Sequence, residues 1–360
     1  MKRCIKCLYS ELKPDLHFDE LGVCSACRSA KLRSFINWAE RKKELEAILE
    51  TGKNSSGYDC IVPSSGGKDS HWQVLTLLEM GAKPLVVTAM TCHLTPVGGR
   101  NLQNLANYAS SIVSEPDKNV RAKLNKLGLE LVGDISWPEH VAIFTTPFNI
   151  ACELGIPLIF YGECPQDHYG GPPGTEQAKE MTLRWVQEFG GFLGLRPSDM
   201  VGHDGITKED MLYYLPPDPH VMGLVGIRAY WLGQFFHWDS HRNARVAKEA
   251  GMEQFLPSPA NWWDHENLDN AQTGLHDYMM WRKYGYGRAT AQLSVDVRNG
   301  LISREDALVE AKKRDGVFPE VYAEVPIEDV LNRIGVSRPR LMEIFDYFTI
   351  FDGPKCLSDV

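Results

Sequence analysis

The segment Ser64-Ser65-Gly66-Gly67-Lys68-Asp69-Ser70 gathers glycines, hydroxyls, an ammonium and a carboxylate into one short run. Phosphate is the ligand such a run suits. Glycine lets backbone amides approach an anion closely, and a helix that follows aims its N-terminus at the charge. Ser65 and Ser70 can donate hydroxyls, while Asp69 is suited to a magnesium ion bridging phosphates. The spacing is neither G-x4-G-K-[ST] nor G-x-G-x-x-G. An ordinary turn could carry the same letters, so the flanking elements decide. Tyr58–Pro63 reads as a short buried strand and about Ser70–Met80 as a helix, which favours the phosphate reading.

A second constellation lies at the start of the chain. Cys4 and Cys7 form one C-x2-C pair and Cys24 and Cys27 another. Two such knuckles complete a tetrahedral shell of four sulfurs, a zinc site closed to substrate and therefore structural. Two disulfides would use the same residues, but a reducing compartment disfavours them. Cys60, Cys92, Cys152, Cys164 and Cys356 have no metal-ligand spacing and read mostly as small buried hydrophobes.

The elements that must position these groups alternate. Helical spacing over Ser34–Glu50 gives way to a polar loop, Thr51–Gly57, and then to the Tyr58–Pro63 strand. Leu85–Met90 is a second apolar strand, and Asn101–Tyr108 reads as a helix. Ile112–Val113 is a brief strand, Val120–Leu127 and Pro147–Leu154 are helices, and Ile156–Gly162 is a further buried strand. Such alternation indicates an α/β fold with a parallel sheet covered on both faces. From Gly170 to Pro259 glycine- and proline-rich loops and short helices replace it, with little strand signal; Ser303–Arg314 and Pro326–Ile334 are late helices. The expected division is a cysteine module over 1–33, a nucleotide domain over 34–170 and a mainly helical region over 171–360.

Composition bounds the function. The 360 residues carry 38 basic and 47 acidic side chains, a formal charge of −9, which argues against a surface built to wrap nucleic acid. No apolar run approaches the roughly 20 residues that span a bilayer, and Met1-Lys2-Arg3-Cys4 is not followed by a secretory segment. The expectation is a cytoplasmic protein.

The glycine loop resembles the PP-loop signature of the N-type ATP pyrophosphatases, and the whole chain resembles the N-acetyl sugar amidotransferases of bacterial surface-polysaccharide pathways. The resemblance rests on the paired-cysteine start with Phe18-Asp19 and Gly22-Val23-Cys24, on Asp59–Ser70, on Tyr161-Gly162-Glu163 and on Tyr169-Gly170-Gly171. It continues through Trp238-Asp239-Ser240, Lys283–Thr290, Arg298-Asn299-Gly300 and Ser303–Ala307. One departure stands out: Cys164 occupies a position where that family leads one to expect Asn.

The resemblance implies a doubly wound sheet of the adenine nucleotide alpha hydrolase-like kind. It also implies an ATP-dependent reaction that turns a sugar acetamido group into an acetamidino group, with ATP, Mg2+ and Zn2+ as cofactors. Ser65, Gly66, Gly67, Lys68, Asp69 and Ser70 would serve the phosphates, and Thr88 to Met90 the adenine, because ligands bind at the carboxyl ends of such strands. Glu163, directly after an apolar strand, could enter the site or stay a solvated surface charge, and Lys283 and Arg288 would suit a phosphate or sugar-acid anion in preference to a solvated basic pair. His237, His241, His265 and His276 have no standard metal spacing and read as ordinary histidines. Trp262-Trp263 could stack on a sugar or base, although core packing is the commoner role. No Gly-x-Cys-x-Gly elbow is present for glutamine hydrolysis. Ammonia would therefore come from solution or from partners, a glutaminase and a barrel subunit similar to those of histidine biosynthesis. The rival reading is a tRNA thiolase, in which Cys92, Cys152 or Cys164 would be catalytic; the acidic balance opposes it.

Overall fold

The computed structural model describes residues 2–53, 57–165 and 178–349. Four short apolar segments make the centre: β1 (Cys60–Pro63), β2 (Pro84–Ala89), β3 (Ser111–Ser114) and β4 (Leu158–Tyr161). Two more strands, β5 (Glu180–Met181) and β6 (Arg228–Trp231), come from the stretch where the sequence shows little strand signal. The order is β3-β2-β1-β4-β6-β5, parallel throughout except for β5 at the edge. The sheet therefore takes two strands from beyond residue 171. β6 is only four residues long and lies between Gly226 and a 3-10 turn, so its periodicity is too brief to read; pairing Leu158–Tyr161 with Arg228–Trp231 is what makes it a strand.

Period-two alternation sends successive side chains to opposite faces. Ile61, Leu85, Val87, Ile159 and Tyr161 pack on one side with α5 (Lys118–Val132) and α6 (Trp137–Leu154). Cys60, Val62, Val86, Leu158 and Phe160 pack on the other with α2 (Trp38–Gly52) and α3 (Lys68–Glu79). This is an α/β architecture with a mostly parallel central sheet, as the alternation of elements leads one to expect.

Helix boundaries follow local chemistry. Asn37 caps α2 by accepting from Glu40 N–H, and Thr95 caps α4 (Pro96–Leu105) by accepting from Gly98 N–H at 3.0 Å. The late helix Arg304–Arg314 starts at Ser303, whose hydroxyl accepts from Asp306 N–H at 3.0 Å. One boundary differs from the sequence reading, in which Pro147 begins a helix. α6 instead runs straight through Pro147. A proline inside a helix strands the carbonyl four residues back; here that carbonyl, of Ile143, accepts from the Tyr161 hydroxyl at 3.1 Å.

The cysteine module does not stand apart. Tyr9, Cys24 and Ala26 pack against Tyr286 and Ala291, and Arg304 donates to the carbonyls of Cys4 and Cys7. A further apolar cluster joins the helices Thr273–Tyr284, Ile327–Ile334 and Arg338–Phe348. Among the described residues no helix is long and apolar enough to cross a membrane.

Candidate active site

The chain winds outward from β1 to β3 and returns to the other side of β1 as β4, so the crevice between β1 and β4 is the switch point of the sheet. Ligands bind at the carboxyl ends of strands at such a point. The loop Ser64–Gly67 leaves β1 there and leads into α3, and Glu163 lies two residues past β4.

Gly66 has φ +77°, a left-handed conformation, and a Cβ there would meet Leu102 N at 2.9 Å. Only glycine suits that turn. The Ser64 hydroxyl accepts from Gly66 N–H at 2.9 Å and the Ser70 hydroxyl from Ser65 N–H at 3.3 Å, which fixes the loop above the start of α3. A cavity of about 400 Å³ opens over it. Ser65, Gly66, Gly67, Lys68, Asp69, Ser70, Thr88, Met90 and Glu163 all line this cavity.

Its floor is a charge cluster. Buried Lys68 donates to Asp69 Oδ2 at 2.6 Å and lies 4.0 Å from Glu266 Oε1. Asn243 holds the other Asp69 oxygen at 2.9 Å. Burial works against the Lys68 ammonium, but Asp69, Glu266 and Glu163 outweigh it and keep the charge on. Burial, reinforced by the Asp69 charge, pushes the Glu163 carboxyl up to about 7. Glu266 goes the other way: burial opposes its charge, yet Lys68 and Arg288 hold it below the usual carboxylate range. Two carboxylates at one site with opposite shifts are suited to different tasks.

The far wall comes from a segment in which the sequence reading weighed Trp262, Trp263 and His265 but not Glu266 or Asp269. His265, Glu266 and Asp269 line the cavity. Gln292 donates to Glu266 at 2.6 Å and accepts from the amides of Trp262 and Trp263. Thr95 N–H donates to the Asp269 carbonyl at 3.0 Å, Ala271 N–H to the His93 carbonyl, and Leu94 bridges Asn270. These bonds lay the segment across the start of α4. Burial raises Asp269 to about 6. The only local hint was a dense run of acid, amide and His side chains without apolar periodicity.

Several buried polar atoms of the lining have no hydrogen-bond partner: Thr88 Oγ1, Thr91 Oγ1, Gln73 Oε1 and His265 Nε2. Unpaired buried polar groups are costly and rare. A polar ligand entering this space would satisfy them.

Lys283 and Arg288 are placed elsewhere. Arg288 makes a bidentate pair with Asp277, at 2.7 and 3.0 Å, and Lys283 donates to the Val132 carbonyl at 2.7 Å. Neither lines the cavity. Lys283, in the last turn of the helix Thr273–Tyr284, and Arg288, the first residue of the next helix, are thus each taken up by a partner within the fold. Trp262 and Trp263 both donate their indole N–H to Asp296 Oδ2, a structural role and not a stacking platform for the cavity. Cys164 is fully buried in the main core. Cys60, Cys92 and Cys152 are also absent from the lining. Tyr169-Gly170-Gly171 and Cys356 lie outside the described residues.

Cys4, Cys7, Cys24 and Cys27 converge. Cys7 Sγ lies 3.6 Å from Cys24 Sγ and Cys4 Sγ 3.9 Å from Cys27 Sγ, too far for disulfides and compatible with a shared zinc ion. The amides of Lys6 and Cys24 both point at Cys4 Sγ, at 3.3 Å, as thiolate ligands require.

The fold and site thus define an α/β protein with a phosphate-type loop at a sheet switch point and a four-cysteine cluster. Residues 249–351, the stretch that supplies the Glu266 wall, match the family described as LPS biosynthesis protein WbpG-like, C-terminal domain. That match supports a place in lipopolysaccharide biosynthesis. No curated protein matches the chain with statistical significance.

Proposed function

We propose that this chain is an ATP-dependent amidotransferase that converts the acetamido group of an N-acetylated sugar to an acetamidino group during surface-polysaccharide biosynthesis. The observation that carries the reading is one cavity shared by the β1–α3 phosphate loop and by Glu163, a carboxyl poised near neutrality. The match of residues 249–351 to a lipopolysaccharide-biosynthesis family is consistent with a role in polysaccharide biosynthesis.

An amide oxygen is a poor leaving group and needs activation. In the proposed first step the acetamido oxygen attacks the α-phosphorus of ATP, and pyrophosphate leaves with the broken bond's electron pair. The loop amides, Ser65, Ser70 and Lys68 would hold the departing charge. Asp69, Glu163 and Glu266 offer the hard oxygens that magnesium prefers, and a bound ion would neutralise phosphate charge. Ammonia then attacks the imidate carbon, a C–N bond forms, and AMP leaves with the former amide oxygen. Glu163, with its pKa near 7, is matched to accepting the proton that the incoming nitrogen must lose. Zinc in the four-cysteine cluster would be structural.

The tRNA thiolase reading needs a cysteine at the cavity. Among the described residues none lines it, which favours amidotransfer.

The test is turnover by purified protein given ATP, magnesium, an N-acetylated sugar and ammonium salt. Pyrophosphate release and a product in which NH replaces O are the expected results. Asp69→Ala should abolish both, and glutamine alone should not support turnover unless a glutaminase partner is supplied. Pyrophosphate release with tRNA and not with sugar would overturn the reading.

A further inference from the structure

We infer that Asp134, His140 and His276 form a second metal site, for a zinc-class divalent cation, which fastens the helix Thr273–Tyr284 to α6. The three belong to separate elements. Asp134 follows the left-handed C-cap Gly133 of α5, His140 sits in the first turn of α6, and His276 in the first turn of the Thr273–Tyr284 helix. Asp134 is 5% exposed, and Ser136 N–H donates to its Oδ1 at 2.8 Å, so the carboxylate is fixed before any ion arrives.

Its two oxygens face two rings. His276 Nδ1 lies 2.7 Å from Oδ1, and His140 Nδ1 lies 3.4 Å from Oδ2. The donor atoms all fall within 4.8 Å of one another. Atoms bound at zinc distances round a tetrahedral centre are about 3.4 Å apart, so small side-chain rotations close the shell. His140 Nδ1 supplies an independent sign. It is buried and, despite its proximity to Asp134, makes no hydrogen bond of acceptable geometry. In the tautomer protonated at Nε2, that nitrogen offers a buried lone pair that a metal ion would satisfy.

Donor chemistry sets the class. Two imidazoles with one carboxylate suit zinc and its transition-metal neighbours; magnesium and calcium prefer all-oxygen shells. Both histidine side chains are about a quarter exposed, which admits the cation and leaves a position for water. Lys283, a cation of the same helix, is held by the Val132 carbonyl at 2.7 Å. None of the three ligands lines the large cavity, so the site is distinct from the candidate active site. Since His276 belongs to the 249–351 stretch, His140 to α6 and Asp134 to the turn between α5 and α6, the ion would pin one part to the other.

Metal content after zinc loading and desalting tests this directly. The intact chain should hold about two zinc ions, a closed four-thiolate site and an open three-ligand one. His140→Ala and His276→Ala should each lose about one equivalent and keep the intense cobalt–thiolate bands on cobalt substitution. Only the weak d–d bands of a nitrogen–oxygen site should vanish. His140→Ala removes a partly exposed ring whose Nδ1 makes no hydrogen bond, so it reports even if His276→Ala fails to fold. A single zinc in the intact chain, or an undiminished second equivalent in His140→Ala, would overturn the inference.

Discussion

Replacing Glu163 with Gln should make the protein more stable and less active, with a pH signature of its own. The Glu163 carboxyl is shifted from 4.5 to about 7, chiefly by burial and then by the neighbouring Asp69 charge. A carboxyl raised on folding favours the protonated native form. The native state therefore holds more protons than the unfolded chain between those two values, and stability falls as pH rises through that window. Above it the full cost is present. At about 1.4 kcal/mol per pKa unit the shift corresponds to about 3 kcal/mol. Because Asp69 shares the interaction, about 2 kcal/mol is the value to expect in practice. Glu163→Gln keeps the shape and removes the ionisation. Its unfolding free energy from urea titration at pH 8 should exceed that of the parent by that amount, and the gain should shrink to about 1 kcal/mol or less by pH 5. Turnover should fall at every pH, since no base remains for the incoming nitrogen. A variant no more stable than the parent at pH 8, or a gain that does not diminish on acidification, would refute the electrostatic account of this site.

Three further outcomes follow from the geometry. Gly66→Ala forces a side chain into φ +77° and onto Leu102 N, and should cost about 1–2 kcal/mol from the backbone alone while weakening ATP binding in a fluorescence titration; unchanged affinity would remove the loop from the nucleotide site. Cys24→Ser should lose zinc and lower the melting temperature together, because metal affinity at such sites is folding free energy; loss of metal with unchanged melting would separate the two. Arg288→Ala leaves the carboxylate of Asp277 buried without its partner, and should cost about 3–5 kcal/mol in urea unfolding. If activity collapsed with stability intact, Arg288 would belong to the chemistry after all.

The sequence by itself determined whatever depends on neighbours along the chain. The cysteine pairs, the glycine loop with its strand before and helix after, and caps such as Ser303 follow from local spacing, and the structure places them accordingly. The apolar runs of β1, β2 and β4 were legible because strands buried on both faces need no alternation. The tertiary structure alone decided what depends on distant pairing. β6 becomes a strand only beside β4, and α6 tolerates Pro147 only because Tyr161 takes up the stranded carbonyl. Glu266 reaches Lys68 across some two hundred residues of chain, while Lys283 and Arg288, equally charged in sequence, turn toward Val132 and Asp277. His140 and His276 meet at Asp134 by the same route. A buried charge must find its partner wherever the fold brings one, and no local spacing records which partner that is.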